Sequence, residues 1–208
     1  LATQIAEQIL PDGAQDELTP HYHQVVINNL CSAAESLRLL GQELPLAIRQ
    51  TLRRMVHYAQ QTIVPDGSAR VAFNDSDPQV PGESRHEHLR LALARAHLES
   101  LLTPMAELGP ELFPYAGVAI LRQRPSDGDL YLAFDGGPYG RAHQHEDKLG
   151  FWLYAYGRNF IVDPGRHLYD NSAKSFRAYL HSTVAHSTIM VDGLEQHSKS
   201  RRETWIAK

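Results

Sequence analysis

The residues best suited to chemistry fall in the second half of the sequence. They are His143-Gln144-His145-Glu146-Asp147, then Asp163-Pro164-Gly165, then Ala185-His186-Ser187. A His-x-His on an extended segment points both imidazoles to one side, because side chains alternate with period two. Such a pair can reach one pocket as two metal ligands, or as a ligand beside a catalytic base. Neutral imidazoles with an ionised carboxylate suit zinc, and all three elements sit at the ends of predicted strands. The first half adds Pro11-Asp12-Gly13, Glu17 and Pro20-His21-Tyr22-His23. On a helix, adjacent residues do not face one another, so one or two of that last group can enter a common site.

The elements that must position these residues change character near residue 113. Before it the apolar spacing is helical: residues 20–40, with Thr19 as N-cap and Gly41 as stop, residues 44–64, and residues 83–102. A loop rich in Asp, Pro and Gly, residues 66–82, separates the second helix from the third. After residue 113 the runs 115–124, 130–134, 149–156, 159–162 and 187–192 read as strands divided by Gly-containing turns. The fold class expected is α+β and multidomain: helices over 1–110 and the N-terminal part of an antiparallel β-sandwich, incomplete, over 111–208.

Composition sets the outer limits. The chain has 208 residues, of which 42% are hydrophobic, enough for a sizeable core. Its formal net charge of −4 excludes a nucleic-acid binder held mainly by phosphate contacts. No run of about 18 apolar residues marks a membrane span. A single cysteine, Cys31, excludes an internal disulfide framework, and it is expected to be buried and inert. Trp152 and Trp205 are expected in the core. The start at Leu1 suggests a piece of a longer protein.

Taken in order, these motifs resemble the heparinase II/III-like polysaccharide lyases and the related alginate lyases. The resemblance rests on residues 113–122, Phe134-Asp135-Gly136-Gly137-Pro138, His143-x-His145-x-Asp147, residues 149–165, Arg177-Ala178-Tyr179 and residues 185–193. Upstream, Pro11-Asp12-Gly13 followed by residues 20–23 matches the family's segment bearing a catalytic tyrosine. The resemblance implies the C-terminal part of an α/α toroid followed by a β-sandwich, with a sugar-binding cleft between them. It implies zinc, mainly structural, on His145, Asp163 and His186, the 18-residue step from His145 to Asp163 agreeing with the family pattern. Tyr22 and His143 take the catalytic positions.

The implied reaction is β-elimination on a 4-linked uronate. The proton at C5 is a poor acid, so the adjacent carboxylate must be neutralised while a base and an acid act. Glu17, Arg141 and Arg177 are the expected substrate-binding residues, with Arg201 and Arg202 as further cleft candidates. The expected partner is an acidic polysaccharide, which places the protein in the periplasm or outside the cell. Ser187 stands where the family usually has Asn, and the family's Asn-His pair ahead of Tyr22 is not in this sequence. Turnover is therefore expected of a longer protein. Two other readings of the β half are a cupin-like metal barrel and a non-catalytic carbohydrate-binding domain. Lys148, Leu149 and Gly150, where a cupin would place a Glu ligand, weigh against the first.

Overall fold

The computed structural model describes residues 2–77, 82–124, 128–170, 172 and 175–196. His197, Arg201, Arg202 and Trp205 lie outside the described residues.

The helical half begins with α1 (Ala2–Gln8), which the sequence pattern does not announce. Next comes α2 (Pro20–Leu39), opened by a proline whose fixed φ and missing N–H suit the first helical position. Thr19 occupies the N-cap position without capping; its hydroxyl donates to the Glu17 carbonyl instead. The next helix is α3 (Leu46–Gln61), burying Ile48, Leu52, Met55, Val56 and Ala59 at three- and four-residue spacing. The last long helix is shorter than its apolar pattern: α4 (Arg85–Arg95) stops because His97 turns left-handed at φ 56°, and a 3-10 turn at Glu99–Leu101 follows. Ser84 caps α4 by accepting the Glu87 amide.

The β half is one antiparallel sheet in the order β1-β2-β3-β4-β5. Its strands are β1 (Glu111–Phe113), β2 (Val118–Gln123), β3 (Leu130–Asp135), β4 (Gly150–Ala155) and β5 (Arg158–Ile161). One face carries Val118, Ile120, Tyr131, Ala133, Trp152 and Tyr154, and packs on Tyr58, Val64, Val71 and Phe73 from the helical side in a shared core. A second, wholly helical core joins Ile27, Leu52, Met55, Leu89 and Leu93. Arg122 bolts the sheet to α3: buried in β2, it donates to the Gln60, Gln61 and Ile63 carbonyls at the helix C-terminus. Tyr131 adds a hydrogen bond to the Gln61 carbonyl.

Among the described residues the β half is this single sheet, and Leu121 on its outer face is exposed. One β expectation needs correction. The run 187–192 is not a strand; only Val191 pairs, in an isolated bridge to Leu194. Its Ile189 and Val191 side chains are exposed, and side-chain bonds from Thr188 and Gln196 to the Lys148 carbonyl anchor it instead of a strand ladder.

Candidate active site and metal centre

The first turn of α2 sends three consecutive rings in three directions. His23 turns into the core, where Nε2 donates to the Met55 carbonyl and Nδ1 accepts the Gln15 amide. Burial, with only partial opposition from that carbonyl bond, lowers its pKa to about 4, so it is neutral. His21 pairs with Asp77 at 3.1 Å. Tyr22 stacks on His143, with ring centroids 4.0 Å apart and planes at 22°.

His143 is set by both neighbours and backbone. Its Nδ1 lies 2.8 Å from a Glu17 carboxylate oxygen, and its φ of 61° is left-handed. That φ breaks the extended geometry expected of His143-Gln144-His145. The two imidazoles consequently part company, His143 toward Tyr22 and His145 into the interior. A carboxylate only accepts, so Nδ1 is the donor, and in the neutral ring Nε2 is the acceptor. On the other side of Tyr22, its hydroxyl meets the hydroxyl of Tyr169 in a short hydrogen bond. The Arg166 and Arg177 guanidinium groups lie 4.8 and 4.4 Å from the Tyr169 ring centre. The tyrosine pair thus sits beside two guanidinium groups, themselves paired with Asp77 and Asp75.

The predicted substrate-binding residues are already committed to partners. Glu17 spends its carboxylate on His143, while its carbonyl accepts the Gln144 side chain. Arg141 is largely exposed and lies 3.6 Å from Asp16. Arg177 is mostly buried and makes a two-pronged bond to Asp75, at 2.9 and 2.8 Å.

His145, Asp163 and His186 do come together, their candidate ligand atoms all within 4.8 Å. His186 Nε2 donates to the Leu180 carbonyl at 2.8 Å, and Nδ1 faces the Asp163 carboxylate at the same distance. Both ring nitrogens therefore face oxygen acceptors. The ring satisfies both as an imidazolium, or as a neutral ligand sharing a cation with Asp163. Burial opposes charge on His186, but the Asp163 contact outweighs it and raises the pKa. The Nδ1 of His145 is buried with no hydrogen-bond partner. An orphaned imidazole nitrogen beside a carboxylate and a second imidazole fits a metal cation.

Gly165 closes this corner. Its backbone is left-handed at φ 60°, and a Cβ there would lie 2.4 Å from the Ser76 carbonyl oxygen. Its amide also donates to Asp163. Only glycine lets the Asp163 turn approach residue 76.

The sequence reading missed the segment 73–77, which it took as loop. Asn74 is fully buried, accepts the His145 amide and donates to the Leu18 carbonyl. Asp75 is fully buried between His145, His181 and Arg177. Ser76 accepts the His21 amide through its hydroxyl and the Arg166 amide through its carbonyl. Tyr169 and His181 were also unassigned. Two acids and two small polar residues between Phe73 and Asp77 were the available signal, but the same composition marks any turn.

Comparison with known proteins identifies the family. Residues 106–208 match the family described as heparinase II/III-like, C-terminal, and residues 1–91 match the heparinase II/III N-terminus. The heparin-sulfate lyase of Pedobacter heparinus is 26% identical over 99% of this chain and 33% of its own length. That of Bacteroides stercoris is 24% identical over 91% of this chain and 30% of its own. The chain thus spans about a third of these relatives. A heparinase III structure aligns over 92% of the chain and 32% of its own, at 22% identity and a TM-score of 0.78. The crystal structure of a heparan sulfate lyase from Pedobacter heparinus aligns over 92% of this chain and 32% of its own, at 23% identity and 0.74. The cupin-like alternative falls, and Lys148 is instead held by Asp135 at 2.7 Å. The chain belongs to the heparinase II/III-like family of polysaccharide lyases.

Proposed function

We propose that this chain carries acid–base and metal residues of a lyase that cleaves a 4-linked, uronate-containing acidic polysaccharide by β-elimination. The observation that carries the reading is the Tyr22–His143 stack, with Glu17 fixing His143 and Tyr169 fixing Tyr22. The His143 Nε2, bare because Nδ1 donates to Glu17, takes the C5 proton. The Tyr22 hydroxyl donates a proton to the departing 4-linked oxygen as the C4–O bond breaks and the C4–C5 double bond forms.

His145, Asp163 and His186 would hold zinc. Bound there, the metal would supply a structural cross-link between the segment carrying His143 and the end of β5, leaving the proton transfers to Tyr22 and His143. The names of the relatives point to heparin- or heparan-type chains as the first substrates to try. A periplasmic or extracellular location follows from such a substrate and belongs to the same proposal. Among the described residues no helix is long and apolar enough to cross a membrane. The test is incubation of the full-length protein with uronate polymers while following ultraviolet absorbance of the unsaturated product. A protein that binds these polymers without producing it would instead be a binding module.

A further inference from the structure

Two candidate metal groups share one histidine. His145 belongs to the set with Asp163 and His186, and to a second set with Asp75 and His181. The ring cannot serve both with the same nitrogen. Its Nε2 lies 3.0 Å from an Asp75 oxygen, while Nδ1 has no hydrogen-bond partner.

Asp75 is poorly suited to hold a metal itself. The Arg177 guanidinium grips both its oxygens, at 2.9 and 2.8 Å, and supplies the positive charge a cation would otherwise bring. His181 approaches the same carboxylate at 3.4 Å. Arg177 and His181 lie four residues apart, at the end of α5 (Phe176–Leu180) and its C-cap, so one helix face delivers both. A fully buried carboxylate is costly unless so compensated.

The carboxylate gripped by the Arg177 guanidinium accepts from His145 Nε2–H, 3.0 Å away, and that fixes the tautomer. We propose that Asp75 is the positioning carboxylate of this centre: it holds His145 by Nε2–H so that Nδ1 is offered to the metal beside Asp163 and His186, while its grip on Arg177 sets that guanidinium over Tyr169. This rests on the metal reading given above and extends it, since it ties the metal corner to the tyrosine pair through one side chain. Such partners of metal-bound histidines fix ring orientation and raise ligand basicity. The neighbouring backbone serves the same end: the Asp75 amide donates to the His143 carbonyl, and Asn74 receives the His145 amide.

The test compares wild-type and Asp75→Asn full-length protein, first checked for equal circular dichroism. Zinc affinity is read by chelator competition, and geometry by the visible spectrum after cobalt substitution. Loss of the outer partner is expected to weaken zinc about 10- to 100-fold and to shift the cobalt bands. Equal zinc affinity and an unchanged cobalt spectrum would overturn the inference while leaving the metal site intact. If the wild-type protein takes up neither metal, the metal reading fails and this inference with it. If the variant does not fold, the wild-type protein still decides. Nitrogen-15 spectra of the cadmium-loaded protein should show His145 metallated at Nδ1 with Nε2 protonated, and metal on Nε2 would overturn the proposal.

Discussion

Tyr22 and His143 lie face to face, 4.0 Å between ring centres, and each is hydrogen-bonded to a different partner. Glu17 fixes the histidine and Tyr169 the tyrosine. This pairing joins the start of a helix to an irregular loop from the β half. It is the geometric basis for placing acid and base on one substrate.

Glu17 acts through His143 in this account. The Glu17→Gln variant should lower kcat with little change in KM, because the amide no longer enforces the Nδ1–H tautomer. Replacing His143 by Ala should cost about 10²- to 10⁴-fold in rate, the usual worth of one general acid or base. Steady-state kinetics on the full-length protein would check both. A Glu17→Gln enzyme that changed only KM would return Glu17 to substrate binding.

His23 predicts a pH window for stability. Its folded pKa is lowered to about 4 from the ordinary 6.5. A depressed histidine contributes stability that is present above pH 6.5 and is lost as pH falls toward 4, because the unfolded chain takes up the proton first. The loss by pH 4 is about 3 kcal/mol. Denaturant titrations from pH 7 to 4 should show it, and the His23→Gln variant should flatten the slope.

The Asp163 corner tolerates only glycine at position 165. The Gly165→Ala substitution combines a left-handed φ with a 2.4 Å contact on the Ser76 carbonyl, so it should destabilise the fold by at least about 1–3 kcal/mol. It should also weaken metal uptake by moving Asp163. Thermal melting with and without added zinc would measure both effects.

Metal removal gives an independent handle. Zinc bound by the native chain and not by the unfolded one should add about 4 kcal/mol at a thousandfold excess over Kd. A chelator should therefore lower Tm in the wild type and leave Tm unchanged in the His186→Ala variant.

How much of this was legible in the sequence depends on what each feature rests on. The long helices and the strands β2, β3 and β4 show in apolar spacing because each buries one face. Residues 187–192 carry the same strand composition but find no partner strand among the described residues, and pairing is not written in composition. That His145, Asp163 and His186 meet was legible through motif resemblance. Asp75 and Tyr169 were not, since their roles come from what chain folding brings beside them: Arg177 and His145 for one, Tyr22 for the other. Arg177 was picked as a substrate contact for its charge, and the fold spends that charge on Asp75.

The most direct measurement is the yield of unsaturated uronate product from full-length wild type and Tyr22→Phe on heparan-type and other 4-linked uronate polymers. The account predicts product from the wild type and a loss of about 10²-fold or more in Tyr22→Phe, with zinc content and melting unchanged. A wild type that never forms the unsaturated product, or a Tyr22→Phe protein as active as the wild type, would contradict it.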